Sequence, residues 1–343
     1  MQHILHSPND LDQWLLDQQF PAYRSKQIQR WLFQSRVDAF SEMSDLPRTL
    51  RDTIDREFVI WTTKIQQHQT SKDGTEKLLL QLQGGGSIEC VLLRDGARRT
   101  ICISSQVGCA MGCVFCASGL DGVDRNLTTG EILEQTLMLQ RLLPEQERLS
   151  HVVVMGMGEP LANLDQLLPA LDIVSDPDGL GISPRRITIS TVGLPEAIHQ
   201  LAELDTRYQL AVSLHAPNDT LRNQLVPVNK NIGIQAILNA ADHYFDISSR
   251  RLTFEYVLLG NINDQPSHAQ QLVHILNHRN ALLNVIPYNP VAGLPYETPS
   301  QSVIQSFREI LEKGNINVQF RQLKGNDIDA ACGQLRRKTL PSP

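Results

Sequence analysis

Past Thr100 the chain repeats one unit: an apolar run, a polar loop, then a stretch with apolar residues at helical spacing. The runs are Thr100 to Ser105, His151 to Met155, Arg186 to Thr191, Tyr208 to Leu214, Arg251 to Leu258 and Leu282 to Pro287; Asn317 to Gln322 follows the last helix. Strands rich in Val, Ile and Leu that alternate with helices pair in parallel, because each helix supplies the crossover that parallel pairing needs. The fold class this predicts is α/β: a parallel sheet covered on one side, hence an open or closed barrel, with a small helical N-terminal domain and a β extension. The first barrel helix is expected to start at Thr128-Thr-Gly-Glu131, a capping box. In a parallel barrel the loops after the strand C-termini open on one face, and the chemistry collects there.

The loop after the first strand holds Cys109, Cys113 and Cys116 in a C-x-x-x-C-x-x-C spacing. Three thiolates fall one short of a structural zinc site, and one short of an iron–sulfur cube that takes one ligand per iron. Zinc would need a further Cys or His, and the nearest downstream histidine, His151, lies beyond a full helix. A cluster needs no further protein ligand if a substrate fills the open iron. Buried packing cysteines and a zinc knuckle are the other readings of the spacing.

More candidates fall on the same face. Gly156-Met-Gly158-Glu159-Pro160 puts flexible backbone and one carboxylate after the second strand, where glycines let a ligand approach the main chain. Ser190 ends the third strand, Ser213, Leu214 and His215 the fourth, and Asn289 follows the sixth. Each is ordinary alone, and one shared site is the economical explanation. Cys102, in the first strand, and Cys332, in Asp327-Ile-Asp-Ala-Ala-Cys332-Gly333, stand apart. Single cysteines are packing residues by default; the small residues around Cys332 suit a closely approached loop.

Upstream the pattern changes twice. From Asn9 to about Phe58 it is helical: Asn9 or Asp10 is expected to cap a helix carrying Leu11, Trp14 and Leu15, followed by helices through Ile28, Trp31 and Leu32 and through Leu46, Leu50 and Ile54. This reads as a module with its own core. Its Arg24, Lys26, Arg30, Arg36, Arg48 and Arg51 would suit phosphates, but Asp and Glu are as frequent, so a solvated mixed-charge surface is the plainer reading. From about Thr62 onward, runs separated by Asp73-Gly74, Gly84-Gly-Gly and Asp95-Gly96 describe a β-meander, expected to cover one end of the barrel. The expected domains are 1–60, helical and accessory; 61–98, the β-meander bridge; and 99–343, the barrel with the loop of Cys332.

No apolar run approaches a bilayer span, and the N-terminus lacks the basic start and apolar core of a secretory signal, so a cytoplasmic protein is expected. Six cysteines, three at metal spacing, suit a reducing compartment better than a disulfide framework. A formal net charge of −6 argues against a generic nucleic-acid coat without excluding a local basic groove.

Taken jointly, the motifs resemble the RlmN/Cfr family of radical S-adenosylmethionine (SAM) RNA methyltransferases. They are Cys102-Ile-Ser-Ser-Gln-Val-Gly-Cys109, Phe115-Cys-Ala-Ser-Gly to Arg125-Asn-Leu, Met155-Gly-Met-Gly-Glu-Pro-Leu, Ser213-Leu-His-Ala-Pro-Asn, Ile286-Pro-Tyr-Asn-Pro and Asp327-Ile-Asp-Ala-Ala-Cys332-Gly-Gln-Leu. The departures are Ser118, where threonine is common, and Cys90, an unmatched thiol. The resemblance implies that the α/β fold is a partial (βα)6 barrel, with a 4Fe–4S cluster on Cys109, Cys113 and Cys116 and SAM on the open iron. It implies SAM contacts from Gly158, Glu159, Ser190, Ser213, Leu214, His215 and Asn289. Cys332 would carry a methyl group, Glu89 would accept the proton from the substrate, and Cys102 would release the product through a transient Cys102–Cys332 disulfide. The implied substrate is adenine, methylated at C2 in 23S rRNA and tRNA, by a monomer served by a flavodoxin- or ferredoxin-like donor. The contexts Val107-Gly108 and Gly325-Asn-Asp327 favour this over the family's C8-methylating Cfr branch, while a zinc-stabilised RNA-binding protein without catalysis is the alternative from another class.

Overall fold

The structure is a computed structural model that describes residues 1–6, 8–204, 208–321 and 324–335. Ten strands form one sheet: β1 (Thr63–Thr70), β2 (Glu76–Leu82), β3 (Ser87–Asp95), β4 (Arg98–Cys102), β5 (His151–Val154), β6 (Ile187–Thr191), β7 (Gln209–Ser213), β8 (Leu252–Leu258), β9 (Ala281–Pro287) and β10 (Val318–Phe320). They lie side by side in chain order. From β4 to β10 every pairing is parallel, and from β1 to β4 every pairing is antiparallel. The parallel part is the predicted partial barrel. Its strands fall within a few residues of the expected runs, although the last stops at Phe320 and Gln322 lies outside the described residues.

The helices are α1 (Pro8–Asp17), α2 (Arg24–Phe33), α3 (Arg48–Glu57), α4 (Thr129–Arg141), α5 (Leu164–Ser175), α6 (Pro195–Glu203), α7 (Asp219–Leu225), α8 (Ile234–Ser248), α9 (Pro266–Leu276) and α10 (Gln301–Lys313). Helix α4 starts at the predicted capping box, the Thr128 hydroxyl and Glu131 carboxylate each accepting the other's backbone N–H. Among the described residues no helix is long and apolar enough to cross a membrane.

Three expectations are corrected. Helix α1 begins at Pro8, so Asn9 and Asp10 lie inside its first turn rather than capping it; proline's fixed φ suits the first helical position. The N-terminal helices have no separate core: Leu15, Ile28, Leu32, Phe33, Leu50 and Ile54 belong to the same apolar cluster as the barrel's Leu133, Leu137 and Ile189. The cause is α4, buried along Thr129 to Gln140 because it is covered by the barrel on one side and these helices on the other. Gln140 Nε2 donates to Phe33 O at 2.8 Å, and Arg36 Nη1 to Leu143 O at 2.9 Å. Finally, the meander does not cover a barrel end. The free edge of β4 accepts β3 through the Asp95-Gly96 turn, so the meander prolongs the barrel wall sideways.

Several arginines of the N-terminal helices are already engaged. Arg24 bonds Gln27 and Asp45 O, Arg30 pairs with Asp178 at 2.6 Å, and Arg51 bonds Ser41 O.

Candidate active site

Strand register decides which side chains share the concave wall. Cys102 pairs with Val153 and Val153 with Thr188; Ser190 pairs with Ala211, Ser213 with Glu255, and Glu255 with Asn284. Alternate residues of a strand share a face, so Cys102, Ser190, Ser213, Glu255 and Asn284 point the same way. Across the antiparallel join Cys102 pairs with Val91, and Val91 with Lys77, which puts Glu89 and Lys77 on that wall too. The opposite face, with Ile187, Ile189, Leu210, Val212, Phe254 and Leu283, is packed in the main core.

The cysteine loop leaves the end of β4 and is closed at its base by a hairpin, Gln106–Gly108 against Val123–Asn126, that the sequence reading missed. Only glycine fits at Gly108, since a Cβ there would lie 2.1 Å from Gly122 O. Cys109, Cys113 and Cys116 are half-buried on this loop. Around them packs a second apolar cluster containing Phe115, Ala117, Val192, Leu225, Val257, Leu259, Ile286 and Tyr288. Burial pushes the Cys109 thiol up to about 11 and raises Cys113 and Cys116 as well; each also feels another cysteine of the loop or Cys332.

Among the described residues no three His, Cys, Asp or Glu side chains have the geometry to hold a single metal ion. A zinc ion would need its ligands gathered in one shell. A multi-iron cluster takes one thiolate per iron and supplies its own sulfides between them. Three thiols on one loop in a dry shell fit the second case, with one position left for a ligand that is not protein.

The strand-end residues converge beside that loop. Glycines 156 and 158 serve the fold first: a Cβ on Gly156 would lie 2.7 Å from Ile103 O, and one on Gly158, with φ +106°, would lie 2.7 Å from Ser105 Oγ. Glu159 is buried, its Oε1 accepting from Leu161 N at 3.0 Å and Oε2 from Val192 N at 2.8 Å. Burial pushes its pKa up to about 7, against the pull of those hydrogen bonds. His215 has φ +57°, packs edge-on against Phe115 at 4.9 Å, and accepts Val257 N on Nδ1 at 3.1 Å, which leaves the proton on Nε2. Burial lowers its pKa to about 3, so the ring is neutral. Asn289 donates through Nδ2 to Cys332 O at 3.1 Å, while its buried Oδ1 has no partner among the described residues. An orphaned buried acceptor costs free energy unless a ligand supplies a donor, and in that respect Asn289 fits a bound cofactor. Ser105 Oγ, not anticipated from sequence, is orphaned likewise.

Arg222 was also missed. It is fully buried and donates to Leu214 O, Ser213 O, Val192 O and Asn229 Oδ1, tying two strand ends to α7. No periodic signal marks such a residue.

Cys102 and Cys332 meet on the other side. Burial and the neighbouring Cys332 push Cys102 up to about 12, while Arg321 opposes the shift. Cys332 is solvent-accessible, with Arg321 Nη1 4.0 Å from its Sγ; the surrounding protein still raises its pKa, and Arg321 lowers it. Glu255, hydrogen-bonded by Asn284 Nδ2 at 2.8 Å, is the countercharge near Arg321. Glu89 is buried and paired with Lys77 at 3.0 Å. The loop of Cys332 is moored on both flanks. Asp73 Oδ2 accepts Gly325 N at 2.9 Å, Ser71 Oγ donates to Asp327, and Lys77 Nζ donates to Asp329 O at 3.0 Å. Beyond Cys332, Gly333 O accepts Ala117 N at 2.8 Å and Leu335 O accepts the Ser118 hydroxyl. Serine at 118 therefore keeps the hydroxyl that this mooring needs. Cys90 lies on the opposite face of β3, fully buried in the main core.

Comparison with known proteins covers nearly the whole chain. The radical SAM superfamily profile matches residues 103–272, and the profile of the ribosomal RNA large subunit methyltransferase N-terminal domain matches residues 6–60. The probable dual-specificity RNA methyltransferase RlmN of Rhodopirellula baltica is 64% identical over 336 residues, covering 98% of this chain and 91% of that protein. The protein of the same name from Geobacillus kaustophilus is 44% identical, covering 96% and 91%. A crystal structure of a radical SAM methyltransferase from Sphaerobacter thermophilus superimposes with a TM-score of 0.92 at 39% identity, covering 96% of this chain and 97% of that one.

Proposed function

The chain belongs to the RlmN family of radical SAM methyltransferases, and from that premise we propose that it methylates C2 of adenine in 23S rRNA and in tRNA. C2 lies between two ring nitrogens, is electron-poor, and does not attack a methyl sulfonium as ordinary nucleophiles do. A radical route is required. The family's cofactors are a 4Fe–4S cluster and SAM; Cys109, Cys113 and Cys116 hold the cluster, and Gly158, Glu159, Ser190, Ser213, Leu214, His215 and Asn289 hold SAM. Bound there, these would supply the methyl groups and the one-electron chemistry that makes the methyl on Cys332 reactive.

The chain's own residues do the rest. Cys332 presents the methyl carbon to the adenine, which is splayed out of its stack into the site. Glu89 takes the proton from C2. With the odd electron of the adduct passed back to the redox chain, the Cys102 thiolate attacks the sulfur of Cys332; the S–C bond breaks, the Cys102–Cys332 disulfide forms, and the CH2 left on C2 takes a proton to become the methyl group. The observation that supports this reading most is that Cys102 feels the charge of Cys332, while Glu89 shares the sheet face of Cys102 and reaches the loop of Cys332 through Lys77. Glu159 and His215 give SAM a carboxylate and a neutral imidazole donor in a dry setting.

On this reading 1–60 is the accessory RNA-binding domain, 61–98 the bridge and 99–343 the catalytic barrel. The chain works as a cytoplasmic monomer with a flavodoxin- or ferredoxin-like donor. Anaerobic turnover with SAM, reductant and unmodified bacterial RNA, followed by nucleoside mass spectrometry, tests the assignment. 2-Methyladenosine is expected; 8-methyladenosine, or no methylated adenosine, would refute it.

A further inference from the structure

We propose that Lys77 is a positioning residue for methyl transfer: its ammonium fixes the Glu89 carboxylate and the loop of Cys332 to each other, and so sets proton acceptor against methyl carrier. This rests on the roles given above to Glu89 and Cys332. The Lys77 and Glu89 side chains are 2% and 1% exposed, and Nζ stands 3.0 Å from Glu89 Oε1. The same Nζ donates to Asp329 O at 3.0 Å. A lysine this deeply buried stays charged only where it is paired and hydrogen-bonded, and here one ammonium serves both needs with Glu89 and Asp329, 12 and 252 residues further along the chain.

Asp329 lies three residues before Cys332 and has a left-handed φ of +51°. Its carbonyl is therefore aimed by a turn, and Lys77 is the donor that receives it. The loop does not depend on Lys77 for attachment. Asp73, Ser71 and Lys72 hold its start at Gly325 and Asp327, while Asn289 and Ala117 hold the carbonyls of Cys332 and Gly333. Lys77 acts between these moorings, on the flank that carries Glu89. Taking its charge away leaves the loop attached and removes the tie between carboxylate and turn.

Lys77→Met in the full-length, cluster-loaded enzyme tests this. Expected are unchanged iron absorbance and methyl loading of Cys332, read from the mass of its peptide, with turnover slowed on the order of a hundredfold, the scale of a small misplacement at a reacting centre. A covalent protein–RNA adduct should accumulate on denaturing gels, because addition to adenine precedes proton removal; a loosened fold would not produce one. Lys77→Met combined with Glu89→Gln should be no slower than Glu89→Gln alone, since Lys77 acts through Glu89. Multiplied defects in the double variant, wild-type turnover in Lys77→Met, or loss of Cys332 loading would each overturn the proposal. If losing the Lys77 charge beside Glu89 keeps Lys77→Met from folding, the double variant, which lacks both charges, is compared with Glu89→Gln: equal adduct supports the proposal and less adduct overturns it. Wild-type turnover in Glu89→Gln alone would instead remove the proton-acceptor role on which the proposal rests.

Discussion

The loop of Cys109, Cys113 and Cys116 sits in an apolar shell of Phe115, Val192, Leu225 and Tyr288, whereas the loop of Cys332 is moored by Lys77, Asp73, Asp327 and Arg321. The two meet where Ala117 N donates to Gly333 O and Cys116 feels Cys332. One side gives three half-buried thiols an apolar setting; the other surrounds a single thiol with charged and hydrogen-bonding groups. The superfamily match begins at Ile103 and ends at Leu272, so it contains the three cysteines and most of their apolar shell, though not Tyr288, and omits Lys77, Glu89, Cys102, Arg321 and Cys332. What distinguishes this chemistry is thus built from the flanks of a shared barrel.

The largest expected effect breaks the dry side. Cys113→Ala removes one of three thiolates and should abolish iron–sulfur absorbance and all methyl transfer; a variant that retains the absorbance and turns over would contradict the ligand assignment. Next comes the charged side. Cys102→Ala should let the adduct form and then trap RNA on Cys332, seen as a protein–RNA band on denaturing gels, while leaving iron content intact; release of methylated RNA at the normal rate would exclude Cys102 as the resolving thiol.

The smallest effect sharpens the contrast through pH. His215 in the folded chain has a pKa of about 3 against 6.5 for the free residue, so the unfolded state takes up a proton that the folded state refuses. Its contribution is fully present above pH 6.5 and is lost as pH falls toward 3, at a slope of up to about 1.4 kcal/mol per pH unit. His215→Asn keeps an acceptor for Val257 N and tolerates the left-handed backbone. Urea unfolding of the cluster-free variant should depend less on pH between 6.5 and 5 than the wild type does; equal slopes would mean that His215 is not the titrating group.

Much of the barrel was legible because strand, loop and helix repeat at a regular period, and the capping box at Thr128 and the turns at Asp73-Gly74 and Asp95-Gly96 carry their own chemistry. The cysteine loop was legible as a spacing. That Glu89 and Cys102 lie in neighbouring strands able to face one cavity was legible from the meander; the register, which joins Cys102 to Val91 and Val91 to Lys77, adds Lys77 to that wall. Lys77, Glu255 and Arg321 were invisible because their partners come from other segments, and a lone charge in a strand reads as surface; Arg222 bonds mainly to backbone carbonyls, which no side-chain pattern marks. The shared core of the N-terminal helices was missed for a related reason: α4 is buried along its length although Glu131, Glu134, Gln135 and Gln140 are among its residues, so its sequence shows no second covered face.

The most direct test follows the methyl group itself. The enzyme is loaded with methyl-labelled SAM, freed of excess, and then given RNA and unlabelled SAM under anaerobic reduction, with the Cys332 peptide and the RNA nucleosides weighed at intervals. The account predicts label on Cys332 first and its passage to C2 of adenine as RNA turns over. Label reaching adenine while the Cys332 peptide never carries it would contradict the account.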